Sequence, residues 1–131
     1  MKYQNILSAF AAEPWAIAPE KLEAMTAFLL FKAEGGSFSP DEVAARISNK
    51  RANELAKTEG ATAVIPVYGV LAQRMDLMSE ISGGVSYQSL KRSIHEALAN
   101  DDVKAVVLDI DSPGGAVPGT DELASEIRAL R

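Results

Sequence analysis

Val103-Lys104-Ala105-Val106-Val107-Leu108-Asp109-Ile110-Asp111-Ser112-Pro113-Gly114-Gly115-Ala116-Val117 is the stretch on which the reading of this 131-residue chain turns. Ala105 to Leu108 and Ile110, broken only by Asp109, form an apolar run of the kind that a parallel sheet buries on both faces under helices. A sharp turn must follow. Pro113 fixes its own φ and biases Ser112 toward an extended backbone, while Gly114 and Gly115 admit positive φ and the close approach of another chain. A helix from about Pro118 to Arg131 comes next, with Leu123, Ile127 and Leu130 on one stripe and Asp121 and Glu122 where the helix dipole favours them. Strand end, glycine turn and helix N-terminus therefore meet at one point, which offers backbone N–H groups to negative charge.

Working outward, Ala63 to Leu71 (Ala-Val-Ile-Pro-Val-Tyr-Gly-Val-Leu) reads as a second strand, rich in β-branched and aromatic residues. Pro66 lacks an N–H and Gly69 packs nothing, so an edge position or a bulge is expected there. A loop of about fifteen residues runs from Ala72 to Ser86, a length that marks a rim or binding loop as readily as plain mobility. Tyr87 to Ala99 is an amphipathic helix with Leu90, Ile94 and Leu98 on one face, capped by Ser86 and ended near Asn100. Strand, helix and strand make one βαβ unit.

The N-terminal part carries less pattern. Residues 1–18 read as a docked arm anchored by Trp15. Pro19 opens a helix in which Leu22, Met25, Phe28 and Leu29 repeat up to the Gly35-Gly36 stop. Ser39 with Glu42 forms a capping box for a second helix, with Pro40 in its first turn and a thin stripe of Val43, Ile47 and Leu55. The expected organisation is a helical extension over residues 1–60, then an α/β domain over 61–131 built on an incomplete parallel sheet. Two strands and two helices leave that sheet with a bare edge, to be completed by further chain or by another subunit.

Composition narrows the function. A formal charge of −5, with no basic run, argues against a nucleic-acid partner, since little would neutralise a row of phosphates. There is no cysteine, so thiol catalysis, disulfides and thiolate zinc sites are excluded. His95 is the single histidine, so a Ser-His-Asp triad would have to use it and a metal site would have to be carboxylate-rich. No cofactor and no metal are expected. Residues Ile6 to Ala12 are too short and too interrupted for a signal-peptide core, and Ala24 to Phe31 falls far short of the ~20 residues that span a bilayer.

A glycine turn at the mouth of a strand suits an oxyanion hole, a fixed N–H that meets the negative oxygen of an attacked carbonyl. Other residues carry plainer readings. Ser112 before proline is a cap or a side-chain bridge to the backbone rather than a nucleophile. His95 lies on a solvated flank with no acid evident in the sequence to orient it. Asp109 and Asp111 alternate with apolar residues, and Asp111 is expected to accept backbone N–H bonds in the turn rather than to bind a metal.

Asp109-Ile110-Asp111-Ser112-Pro113-Gly114-Gly115, together with the Ile65-Pro66-Val67 strand ahead of it, resembles the signature of signal peptide peptidase A, shared more loosely with the proteolytic subunit of Clp protease and the crotonase-like fold. The likeness is closest to the phage and prophage head-maturation proteases, which also carry counterparts of Glu13-Pro14-Trp15, Pro19-Glu20-Lys21-Leu22 and the Gly83-Gly84 to Tyr87 stretch. The resemblance implies a serine peptidase with a Ser–Lys dyad, its serine in an Ala-Ser segment and its lysine both beyond Arg131. It assigns Gly115, and less firmly Gly114, to the oxyanion hole, and Ala116 and Val117 to the edge along which an extended substrate pairs. It further implies a peptide or protein substrate, a homo-oligomer, and a place in the bacterial cytoplasm or inside the prohead. Two other classes compete. One is a phosphoryl-transfer enzyme of the haloacid dehalogenase type, through Asp109-Ile110-Asp111, against which Pro113 stands where that family has Thr or Val. The other is a non-catalytic assembly or scaffold piece.

Overall fold

A computed structural model describes residues 2–39, 41–42, 56–73 and 84–130. In chain order the elements are α1 (Lys2–Ala12), β1 (Trp15–Ile17), α2 (Pro19–Ala33), β2 (Lys57–Glu59), β3 (Thr62–Tyr68), β4 (Val70–Ala72), β5 (Gly84–Ser86), α3 (Tyr87–Leu98), β6 (Ala105–Asp111), β7 (Gly114–Ala116) and α4 (Thr120–Ala129). The fold is mixed α/β, with four helices and two mixed sheets of order β1-β7-β4-β5 and β2-β3-β6 among the described residues.

The βαβ unit is present. β3 and β6 run parallel in unbroken register from Thr62↔Ala105 to Tyr68↔Asp111, and α3 lies between them in sequence. Ser86 starts α3 as expected, its Oγ accepting the Ser89 N–H at 3.0 Å. The apolar face of α3 buries Tyr87, Leu90 and Ile94 against Ile65 and Val67 of β3 and Leu123 of α4. Leu98, expected on the same stripe, is 44% exposed.

Alternation along β3 explains how Pro66 is tolerated. Ala61 sends its carbonyl toward β6, where it accepts the Lys104 N–H at 2.7 Å, and Gly69 sends its N–H the same way, to the Asp111 carbonyl at 2.9 Å. Odd-numbered residues of the strand therefore face β6 and even-numbered ones face β2. The missing N–H of Pro66 thus points to the β2 side, two residues past the last register pair, Lys57↔Val64. Among the described residues nothing pairs with β3 on that side at this height. Gly69 then takes a φ of +84°, a left-handed conformation that costs glycine little. The kink carries the chain out of one sheet at Tyr68 and into the other at Val70.

Several expectations are corrected. The parallel sheet proves to be two mixed sheets, because β1 and β2 join antiparallel to β7 and β3. Residues 1–18 hold α1 and β1 rather than an irregular arm, although Trp15 is an anchor, its indole N–H donating to the Phe10 carbonyl at 3.0 Å with the rings 5.1 Å apart. The expected Ala72–Ser86 loop is shortened at both ends by β4 and β5, and residues 74–83 lie outside the described set. β6 is not buried on both faces. Val106 and Leu108 pack on the α3 and α4 side, but Val107 is 47% and Ile110 64% exposed. Among the described residues helices cover only one face of β6, and its outer edge is unpaired. A groove of about 380 Å³ opens where α3, α4 and β6 meet, lined by Ile94, Leu98, Leu108, Ile127 and Leu130.

The first helix boundaries agree with the reading. Pro19 is the first residue of α2, which ends just before Gly35-Gly36. The Ser39–Glu42 capping box closes reciprocally, the Ser39 N–H donating to the Glu42 carboxylate at 2.9 Å and the Glu42 N–H to Ser39 Oγ at 3.2 Å. Val43, Ile47 and Leu55 lie outside the described residues.

Among the described residues two core clusters form, Ile65, Val67, Tyr87, Leu90, Ile94 and Leu123 in the first and Met25 with Val70 in the second. Ile65→Ala, at a site 2% exposed, should lower the free energy of urea unfolding by about 3 kcal/mol through lost burial and the cavity left behind. Ile110→Ala, on the open face, should stay within about 0.5 kcal/mol of the parent.

Candidate functional site at the glycine strand

β7 consists of Gly114, Gly115 and Ala116, clamped between two other backbones. β1 lies antiparallel on one side with Trp15↔Ala116, Ala16↔Gly115 and Ile17↔Gly114, and β4 lies parallel on the other with Leu71↔Gly115. The approach is too close for any side chain. A Cβ on Gly114 would come within 2.2 Å of the Ala16 carbonyl oxygen, and one on Gly115 within 2.0 Å of the Leu71 carbonyl oxygen. Gly114 also has a φ of +118°, which L-residues rarely adopt.

The amides of the strand have definite partners. The Val117 N–H donates to the Pro14 carbonyl, and the Ala18 N–H to the Pro113 carbonyl, each at 2.9 Å. Hydrogen-bonded pairs alternate along an antiparallel ladder, so Ala16 and Gly115, midway between those two pairs, form the intervening bonded pair. The Gly115 N–H therefore faces the Ala16 carbonyl. Gly114 is engaged locally, its N–H donating to Ser112 Oγ at 3.2 Å. Ser112 is thus the side-chain-to-backbone bridge that its place before Pro113 suggested.

Tyr87, at the start of α3, reaches this strand. Its hydroxyl donates to the Ala116 carbonyl at 2.6 Å and lies 3.1 Å from Thr120 Oγ1. Thr120 Oγ1 in turn donates to the Val117 carbonyl at 2.7 Å. Helix α3, helix α4 and β7 are tied together through that hydroxyl. Sequence reasoning placed Tyr87 only as the first residue of a helix, because its partner is 29 residues away. Of the residues singled out in the sequence, Gly114, Gly115 and Ala116 form one strand, with Val117 directly after it and 46% exposed.

Other candidates lie apart from this strand. His95 does have an acid to orient it, contrary to expectation: Glu126 on α4 places one carboxylate oxygen 2.5 Å from its Nε2, while Lys91 Nζ approaches the other oxygen at 2.5 Å. The hydrogen bond from His95, then that from Lys91, holds the Glu126 carboxyl below its ordinary value of 4.5. This cluster is exposed and braces α3 against α4. Asp109 accepts the hydroxyl of the buried Tyr68. The Asp111 main-chain carbonyl takes the Gly69 N–H. Among the described residues, no group of three or more acidic or histidine side chains is placed to hold a metal ion.

This geometry is that of a mixed α/β protein with a backbone-lined strand site. The chain is 36% identical over 101 residues to the head-tail preconnector protein GP5 of Enterobacteria phage P21, an alignment covering 77% of this chain and 20% of that protein. It is 33% identical over 69 residues to the capsid assembly protease C of Escherichia phage lambda, covering 53% of this chain and 16% of that one. Both are its homologues, and the chain spans a fifth or less of their length. No protein-family model and no solved structure matches it.

Gly115→Ala should destabilise the chain by at least about 2 kcal/mol in urea unfolding, because the new methyl group must push β4 away from β7. The Glu126 cluster should respond to pH with a defined sign. A depressed carboxyl pKa adds stability above the unfolded value and loses it as pH falls through the folded one. The advantage of the parent over Glu126→Gln in urea midpoint should therefore be present above pH 4.5 and fade progressively as pH falls below it.

Proposed function

We propose that these residues form the N-terminal part of a Ser–Lys dyad serine endopeptidase of the signal peptide peptidase A type, in the phage head-maturation branch and on a Clp-protease-like, crotonase-like fold. The observation that carries this reading is the homology to the lambda capsid assembly protease. The backbone-lined strand β7 gives that homology a chemical content.

In this reading the Gly115 N–H is the oxyanion donor once the Ala16 carbonyl leaves it, and Gly114, whose N–H donates to Ser112 Oγ, is secondary. Such a donor acts on charge that develops only in the transition state, and removing one costs roughly 100- to 1,000-fold in rate. Ala116 and Val117 line the edge along which an extended peptide would add to β7 as an antiparallel strand, through the main chains of Gly115 and Val117. Residues 61–131 belong to the peptidase domain and residues 1–60 extend it. The nucleophilic serine and the lysine that activates it are outside these residues, so the 131-residue chain is inactive by itself. Its substrate is a peptide or protein of the phage head, met in the bacterial cytoplasm or inside the prohead. Self-association fits the edge of β6, which is bare among the described residues, with Val107 and Ile110 in the open. No described helix is long and apolar enough to cross a membrane.

A serine-directed fluorophosphonate tests the assignment. The 131-residue chain should remain unlabelled, whereas a protein whose reading frame continues from it into a strand, an Ala-Ser helix start and a later lysine should take up one label per chain. Stoichiometric labelling of the 131-residue chain, or none of the longer protein, would refute the dyad as assigned.

A further inference from the structure

β1 meets β7 in the way a bound peptide would. It is extended and antiparallel, with the Pro14 carbonyl on the Val117 N–H, the Ala18 N–H on the Pro113 carbonyl, and Ala16 opposite Gly115 between them. The carbonyl facing the Gly115 N–H thus belongs to residue 16 of the same chain. Side chains alternate along an extended segment. Trp15 and Ile17 turn into the cluster of Phe10, Met25 and Val70, while Ala16 faces solvent.

A strand has two hydrogen-bonding edges, and β4 holds the other edge of β7. A substrate that pairs with Ala116 and Val117 therefore cannot do so while β1 is in place. We infer that residues 14–18 are a resident, substrate-mimicking ligand of the β7 edge, which an incoming peptide must displace. The ligand class follows from what is displaced: an extended peptide with a small residue opposite Gly115, flanked by two apolar side chains that refill the space of Trp15 and Ile17. This inference rests on the peptidase reading above, from which the edge takes its role.

Trp15 is the only tryptophan and there is no cysteine, so the chain carries its own reporter and accepts a single engineered disulfide. The probe is the acetylated, amidated peptide Glu-Pro-Phe-Ala-Ile-Ala, residues 13–18 with Phe in place of Trp. Titrated into the whole chain, it should produce a saturable red shift of Trp15 emission as the indole leaves its apolar cluster for water. In the double variant P14C/V117C, whose sites form a neighbouring cross-strand pair, oxidation should abolish the shift and a reducing agent should restore it. A16P, which removes one ladder hydrogen bond from the arm, should bind a fluorescently tagged copy of the peptide roughly fivefold more tightly. If A16P does not fold, I17G weakens the arm through its side chain instead. Tagged peptide that binds the oxidised double variant as well as the parent, with Trp15 emission unchanged, would overturn the inference and leave the peptidase reading standing. Failure of the peptide to bind a folded A16P or I17G would remove the edge reading, and the inference with it.

Discussion

Three backbones lie side by side at β7 with no room for a methyl group. The carbonyl oxygens of Ala16 and Leu71 stand 2.2 and 2.0 Å from where a Cβ would sit on Gly114 and Gly115. Close packing forbids any other residue there without moving a strand. The rest of the fold depends on that contact, because it joins the N-terminal β1, the central β4 and the C-terminal β7 into one sheet across most of the chain's length. It also determines where the Gly115 amide points.

The surrounding elements hold the clamp from both ends. The kink at Gly69 delivers one run of chain to two sheets, so that β3 is pinned to β6 while β4 lies beside β7. Ile65 and Val67 anchor the first half of that run under α3, and Val70, fully buried, anchors the second against Met25. Tyr87 then closes the structure through the Ala116 carbonyl. A hydrogen bond to a buried carbonyl matters mostly for what its absence would leave unsatisfied, so this hydroxyl helps keep the strand straight where it leads into α4.

Electrostatics act away from the strand. Glu126 gathers Lys91 and His95 across the outer faces of α4 and α3. Being exposed, this cluster contributes orientation between the helices more than stability. The site at β7 is by contrast made of main-chain dipoles. Such dipoles do not titrate, are fixed before any ligand arrives, and suit the stabilisation of a transient negative oxygen better than a mobile charged side chain does. The same property lets the chain's own β1 satisfy them.

The local features were legible in the sequence. Pro19 at a helix start, the Ser39–Glu42 box, the Ser86 cap and the parallel pair across α3 each depend on residues within a few positions of one another, or on a repeated apolar pattern, whereas the glycine turn expected after β6 proves to be the strand β7. What the residues alone did not reveal lies at long range. β1 and β2 are three residues each, too short to carry a period, and become strands only because β7 and β3 offer them edges. His95 finds Glu126, and Tyr87 finds Ala116, across about thirty residues that no spacing rule connects. The apolar run of β6 implied burial on both faces, yet hydrophobicity records only what a strand can bury, while the helices around it decide which face is covered. Gly114 and Gly115 belong to both levels: the dipeptide by itself required a turn or a close approach, and only the tertiary structure decided that the approaching backbones are those of residues 16 and 71.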